Sequence, residues 1–388
     1  MAKRQRSIDT TVVHAGREGE RYGDAVVLPI FQSSTYLYRG QTEYEALRYI
    51  RLNNTPNHRV LQKRLAELET GEAALVAGSG MAAISAALLS VLSNGQHLLA
   101  QRTLYGGTFD LLARDFADLG IACDFVDPRA PGSWQAALRP ETRAFYLEAI
   151  SNPLMEVPDL PAVAKFCRSH GLISLIDSTF ATPVNFRPLE HGFDVVIHSG
   201  TKYLNGHSDI VAGAVIGGAE FIAGANRKLL HLGGCLDPHA CFLLERGLKT
   251  LALRVRHQNQ SAHQIARFMR DHPSIERVNY AGLEGCGDEQ TKALFEGFGG
   301  MLSFEVRGDR ERTQRFLSAL TIPMIAPSLG GVESLVSQPA VTSHSGLTPQ
   351  EREALGISDR LVRFSVGIEG TADLIDDLDH ALSVSADG

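Results

Sequence analysis

Long apolar runs are missing from this chain. The longest, MAAISAALLSVL at 81–92, spans about twelve residues, too short for a bilayer helix. The opening MAKRQRSIDTTVVHAG lacks the apolar core of a secretory signal. Positive charge is scarce too. The chain holds 37 Lys and Arg against 44 Asp and Glu, a net charge of −7, and no basic run exceeds KRQR at 3–6. That argues against nucleic-acid and membrane partners. The five cysteines, Cys123, Cys167, Cys235, Cys241 and Cys286, are odd in number and form no C-x-x-C. Buried thiols in a reduced, cytoplasmic setting are expected. The fourteen histidines include no H-E-x-x-H and no other zinc spacing, so no metal is expected.

What is present is ordinary globular material: 388 residues, 44% hydrophobic and 21% charged. Residues 1–55 show little periodicity. Pro29 argues against helix there, and the aromatic content of IFQSSTYLY argues against disorder. An arm contacting a neighbouring subunit fits both observations. From Arg59 the texture alternates. RVLQKRLAELE carries Val60, Leu61, Leu65 and Leu68 on one helical face. EAALVAG, HLLAQ, ACDFVD, RAFYLEAIS, LISLIDS, FDVVIHSG and AGAVIGG read as strands, with helices at SGMAAISAALLSVL, FDLLARDFADLG and LPAVAKFCRSHG. Such alternation predicts an α/β domain on a mostly parallel sheet, residues 56–255. One long helical stretch, His239 to His272, then bends near Gly247. Beyond it, MLSFEV, RERTQRFLSAL, LVRFSVGI and ADLIDDLDHALS predict a smaller C-terminal α+β domain, residues 256–388.

Ligands of open α/β sheets sit beyond the carboxyl ends of the strands. Four strand ends are chemically notable: AGSGMAA after ALV, Ser151 and Asn152 after FYLEAI, Asp177 after LISLI, and Ser199, Thr201 and Lys202 after DVVIH. A lysine after a strand is ordinarily a surface residue. SGTK also satisfies the S-x-x-K of serine–lysine enzymes, but their S-D-N and K-T-G elements are absent. GSGMAA satisfies G-x-G-x-x-A, which suggests an NADP-dependent oxidoreductase. The strand that should end in a ribose-binding acid ends instead in Gln101 and Arg102, and Lys202 and Asp177 are left without a role. A third reading uses all the features. Lys202 holds a carbonyl cofactor as a Schiff base, and Asp177 pairs with a cationic ring nitrogen. The amides of Gly80 and Met81, with the Ser199 and Thr201 hydroxyls, hold a phosphate. Those are the three handles of pyridoxal 5′-phosphate.

The chain resembles the Cys/Met metabolism family of pyridoxal-phosphate enzymes: cystathionine γ-synthase, γ-lyase and β-lyase, and methionine γ-lyase. The resemblance runs from VHAG at Val13 to LVRFSVGIE at Leu361, through PIFQSSTY, SGMAAI, YGGT, SNP, DSTFATP, HSGTKYLNGHSD, RGLKTLALR, GFGGMLSFEV and SLGGVESL. It implies the fold type I of pyridoxal-phosphate transferases, aspartate aminotransferase-like. It implies that Lys202 is the Schiff-base lysine, Asp177 the partner of the ring nitrogen, and Gly80, Met81, Ser199 and Thr201 the phosphate site. Tyr105 would stack on the ring. Tyr49 and Arg51 would reach the phosphate of a neighbouring subunit, in a homotetramer of two active dimers. Arg363 would grip the carboxylate of a small amino-acid substrate, helped by Asn152 and Ser328. Ser178 stands where the family usually has Asn, and Ala240 lacks a family carboxylate. Gly107 stands where methionine γ-lyases often carry Cys.

Lys202 and Asp177 then imply proton removal from Cα, with β-elimination, γ-elimination or γ-replacement as outcomes. Chemistry at Cγ is favoured, of the cystathionine γ-lyase or γ-synthase kind. Glu333 follows Ser328 closely, and a carboxylate there would suit the distal ammonium of cystathionine. Alternatively Glu333 caps a turn or pairs with a surface arginine. Cystathionine β-lyase, methionine γ-lyase and a scaffold that has lost activity remain the other readings.

Overall fold

Seven strands form the larger sheet of the computed structural model, which describes residues 6–16, 22, 24–284 and 288–386. Cys286 lies outside the described residues. The strands are β1 (Ala73–Ala77), β2 (His97–Gln101), β3 (Ala122–Val126), β4 (Thr142–Glu148), β5 (Ile173–Asp177), β6 (Val195–Ser199) and β7 (Gly213–Gly217), in the order β1-β7-β6-β5-β4-β2-β3. β7 runs antiparallel to both β1 and β6. The other pairings are parallel. Six strands therefore point the same way, and their carboxyl ends share one edge.

Both faces of this sheet are covered, so its strands read as apolar runs. Ala144, Phe145, Tyr146 and Leu147 of β4 are fully buried, and each of the three larger side chains contributes about 1.5–3 kcal/mol by leaving water. Phe145, Leu147, Ile176 and Val196 pack toward α2 (Pro56–Leu68). Tyr146, Leu175 and Ile197 pack toward α3 (Gly80–Val91). Side chains alternate along a strand. Glu148, Asp177 and Ser199 therefore share the α3 face at the carboxyl edge.

Several elements depart from the expected ones. A short helix, α1 (Ile8–His14), lies within the expected arm and packs on α2 through Val12. α2 itself begins at Pro56, because proline suits the first turn, where its missing N–H has no carbonyl to lose. A helix Ala219–Leu232 follows β7. The stretch expected as one bent helix is two, Pro238–Leu248 and Leu251–Asp271. Gly247 abuts the chain: a Cβ there would stand 2.2 Å from the Asn205 carbonyl oxygen. Arg254 donates to the Gly247 carbonyl at 2.9 Å and to the Tyr203 carbonyl at 2.8 Å. It thereby occupies a carbonyl that a continuous helix would have used.

The second sheet holds β8 (Ile275–Asn279), β9 (Met301–Val306), β10 (Met324–Ile325), β11 (Leu335–Ser337) and β12 (Leu361–Ser365), in the order β10-β11-β12-β9-β8. Its core gathers Phe304, Phe316, Phe364 and Leu378. Along Leu251–Asp271, Leu251, Ala252 and Val255 join the core of the first sheet, whereas Ala262, Ile265 and Met269 join the second. Cys123, Cys167, Cys235 and Cys241 are free thiols. Among the described residues no helix is long and apolar enough to cross a membrane.

Candidate active site

The shared edge brings four strand ends together with one turn of the second sheet. Lys202 lies in the turn after β6, its amide bonded to the Ser199 carbonyl at 3.2 Å. Its Nζ donates to Ser328 Oγ at 2.8 Å. Arg363, on β12, donates from Nη2 to the Ser328 carbonyl at 3.3 Å and from Nη1 to Asn152 Oδ1 at 3.2 Å. Lys202 and Arg363 are thus bonded to one residue. Ser328 has φ of +86°, a region that costs a residue with a side chain about 1–3 kcal/mol. The Lys202 and Arg363 bonds hold it there.

The chain of bonds continues into the first sheet. The Asn152 amide donates to Glu148 Oε2 at 3.2 Å, and the Tyr105 amide to Glu148 Oε1 at 2.7 Å. Asp177 stands beside Glu148 in register, and its Oδ1 accepts the Thr179 amide at 2.9 Å. Sequence reasoning passed over Glu148. The available signal was that two neighbouring apolar strands, RAFYLE and ISLID, both end on a carboxylate.

Burial sets the protonation states. It lowers the Lys202 amine to about 8, helped by the Arg363 charge. Arg363 is 5% exposed and is lowered by burial to about 10, so it stays charged at neutral pH. Burial raises the Asp177 carboxyl, while Thr179 and His198 act in the opposite direction. A cationic nitrogen against Asp177 would oppose the burial penalty and favour the carboxylate. For Lys202 the displacement from 10.5 to about 8 makes the neutral amine roughly 300-fold more abundant at pH 7. The rate at which cofactor-free protein takes up pyridoxal phosphate should therefore rise with pH through about 8 and then level off. Stopped-flow absorbance measures this. A rate still climbing tenfold per unit above pH 9 would mean an ordinary lysine.

The helix start expected to hold the phosphate is half-buried. The amides of Gly80 and Met81 have no carbonyl to bond within α3, and Ser79 caps the helix by accepting the Ala82 amide at 3.0 Å. A Cβ on Gly80 would sit 3.0 Å from Ser199 Cβ and Oγ, so glycine lets Ser199 close on the helix start. Donors, positive helix end, lysine and strand-end carboxylate fit the three handles of pyridoxal phosphate. Thr201 is placed less openly, since its hydroxyl donates to the Ala212 carbonyl at 3.2 Å and accepts the Ala212 amide at 3.0 Å. Tyr105 is half-exposed and folds over Gly107, where a Cβ would come 2.7 Å from its ring.

Three named residues stand outside this bonded chain. Tyr49 and Arg51 lie on the arm, with Arg51 donating to Tyr44 Oη at 2.5 Å and to the Leu230 carbonyl at 3.5 Å. Glu333 is half-buried. Its Oε2 lies 3.1 Å and Ser208 Oγ 2.8 Å from where a Gly331 Cβ would sit.

The profile of the Cys/Met metabolism PLP-dependent enzyme family matches residues 9–383. Cystathionine gamma-lyase of Bacillus subtilis is 39% identical over 379 residues, 96% of this chain and 98% of that one. Cystathionine beta-lyase of Lactococcus lactis subsp. cremoris is 39% identical over 378 residues, 97% of this chain and 99% of that one. The crystal structure of cystathionine gamma synthase from Xanthomonas oryzae pv. oryzae, in complex with aminoacrylate and cysteine, superimposes with a TM-score of 0.94. It is 35% identical and covers 98% of this chain and 99% of that one. The fold and site are those of an enzyme that works through a carbonyl cofactor. The chain belongs to the Cys/Met metabolism family of pyridoxal-phosphate-dependent enzymes, and pyridoxal 5′-phosphate is its cofactor.

Proposed function

We propose that this enzyme acts at Cγ of a sulfur- or homoserine-derived amino acid, by elimination or replacement of the cystathionine γ-lyase or γ-synthase kind. One observation carries the reading: Lys202 Nζ and the Arg363 guanidinium are bonded to the same residue, Ser328. A substrate held by its carboxylate at Arg363 and Asn152 presents both Cα and Cβ to that one amine. Bound pyridoxal phosphate supplies a sink for the electron pair left when a proton leaves Cα. Lys202 removes the Cα proton. Once it has given that proton up and is neutral again, the same amine removes a proton from Cβ, which departure from Cγ requires and β-elimination does not. Gly107 supports this over a methionine γ-lyase reading. A Cys there would bring its Cβ within 2.7 Å of the Tyr105 ring and push it aside.

The products decide the matter. Incubation with cystathionine should release 2-oxobutyrate, or cysteine plus an O-acylhomoserine should yield cystathionine. Pyruvate alone, with no replacement on any acylhomoserine, would make the enzyme a cystathionine β-lyase.

We further infer a homotetramer of two active dimers, with Tyr49 and Arg51 serving the partner's phosphate site. The arm supports this, because it turns Val26 and Leu37, each 81% exposed, and Tyr38, 70% exposed, toward solvent. Large apolar side chains exposed to this degree suit a contact surface. A cytoplasmic setting fits the four free thiols.

A further inference from the structure

Glu148 is a carboxylate set where charge is least welcome. It ends a strand whose four preceding residues, Ala144 to Leu147, are fully buried, is itself 6% exposed, and stands in register beside a second carboxylate, Asp177. Burial and the Asp177 charge push its carboxyl well above the usual range, and the amides of Tyr105 and Asn152 pull the other way. Neither oxygen is idle. Oε1 accepts the Tyr105 amide and Oε2 the Asn152 amide. The strand end is fixed as well: the Glu148 amide donates to Gln101 Oε1 at 3.1 Å, and Gln101 Nε2 to the Thr103 carbonyl at 2.8 Å. The loop after β2 and the turn after β4 therefore converge on one side chain. Each delivers one functional residue, the ring of Tyr105 and the carboxamide of Asn152.

We propose that Glu148 is a positioning residue whose two oxygens fix the Tyr105 ring and the Asn152 side chain relative to each other, and through Asn152 the aim of Arg363. The geometry selects a carboxylate, because each oxygen faces a backbone N–H, an arrangement that the ionised form satisfies on both sides and that opposes the effect of burial. Gln, of the same shape, has one acceptor and one NH2 group, so one backbone N–H would face a donor. Asp keeps both acceptors and is one methylene too short to span the two amides. This assignment rests on the site being the pyridoxal-phosphate site, with the substrate carboxylate at Arg363 and Asn152.

The test compares holoenzymes of wild type, Glu148→Gln and Glu148→Asp. Glu148→Gln should still bind the cofactor, since Lys202 is untouched. Its KM for the amino-acid substrate should rise about tenfold, the size of one lost charge-assisted hydrogen bond, and more than kcat falls. The pH midpoint of the cofactor's visible band should also move, because Arg363 lies beside Lys202 and its aim passes through Asn152. Glu148→Asp should show the same two changes, so it serves if Glu148→Gln does not fold. A folded variant with lower thermal stability but wild-type KM and a wild-type pH midpoint would overturn the assignment and leave Glu148 a structural residue. Wild-type protein that fails to take up pyridoxal phosphate at Lys202 would instead overturn the reading of the site.

Discussion

Lys202→Ala will be folded, and its turnover will fall by at least about 10³-fold. A positioned general base alone contributes about 10²–10⁴, and on the proposed reading the covalent anchor is lost as well. Borohydride reduction of the wild-type holoenzyme should add the mass of the cofactor at Lys202, and reduction of the variant should add nothing. Folding should survive, because the side-chain bond that is lost is the one to Ser328 and a buried ammonium is removed with it. Burying that charge is costly, as the lowering of its pKa to about 8 records. Lys202→Arg separates the remaining roles. It keeps the positive charge, but a guanidinium does not lose its proton, so it is neither nucleophile nor base. It should be as inactive as alanine. Lys202→Arg turning over within tenfold of wild type would sink the assignment, since charge alone would then suffice.

Legibility in the sequence followed how locally each role is determined. The placement of Lys202 and Asp177 at one edge was readable because Asp177 ends an apolar strand and Lys202 lies in the turn after another, and such strands must share an edge when the connections alternate with helices. The helix start at Gly80 was readable for the same reason. Glu148 was quoted within its strand and not understood. Its role is set by register with Asp177 and by an amide 43 residues away, neither of which a strand pattern contains. The Thr201 hydroxyl is taken by Ala212 at the approach to β7, a partner fixed by the antiparallel return of the chain. Short elements were lost for want of period. α1 has seven residues and one buried side chain, Val12, too few for a face to repeat. The break after Gly247 was only half legible. Glycine marked the place, whereas the Arg254 guanidinium that takes its carbonyl was visible only once the turn after Lys202 had folded against it.

Two inactive variants should restore each other. Arg51→Ala should lose activity by weakening the grip on the cofactor phosphate, and Lys202→Ala by losing the base. In this chain Arg51 is bonded to Tyr44 and to the Leu230 carbonyl, so its guanidinium is held between the arm and the helix after β7 by bonds other than those of the Lys202–Ser328–Arg363 set. Val26, Leu37 and Tyr38 of the arm point to solvent, which suits a surface meant for a second copy. If each arm serves the partner's site, a hybrid dimer contains one site with both residues intact and one with both lost. Random mixing in equal amounts makes about half of the dimers hybrid, and one of the two sites in each is whole, so about a quarter of wild-type activity should return. The hybrid should also take up cofactor at one site per dimer, which absorbance after gel filtration measures. Free exchange of subunits, proven by differently tagged chains, with no activity regained would mean that Arg51 serves its own chain or none.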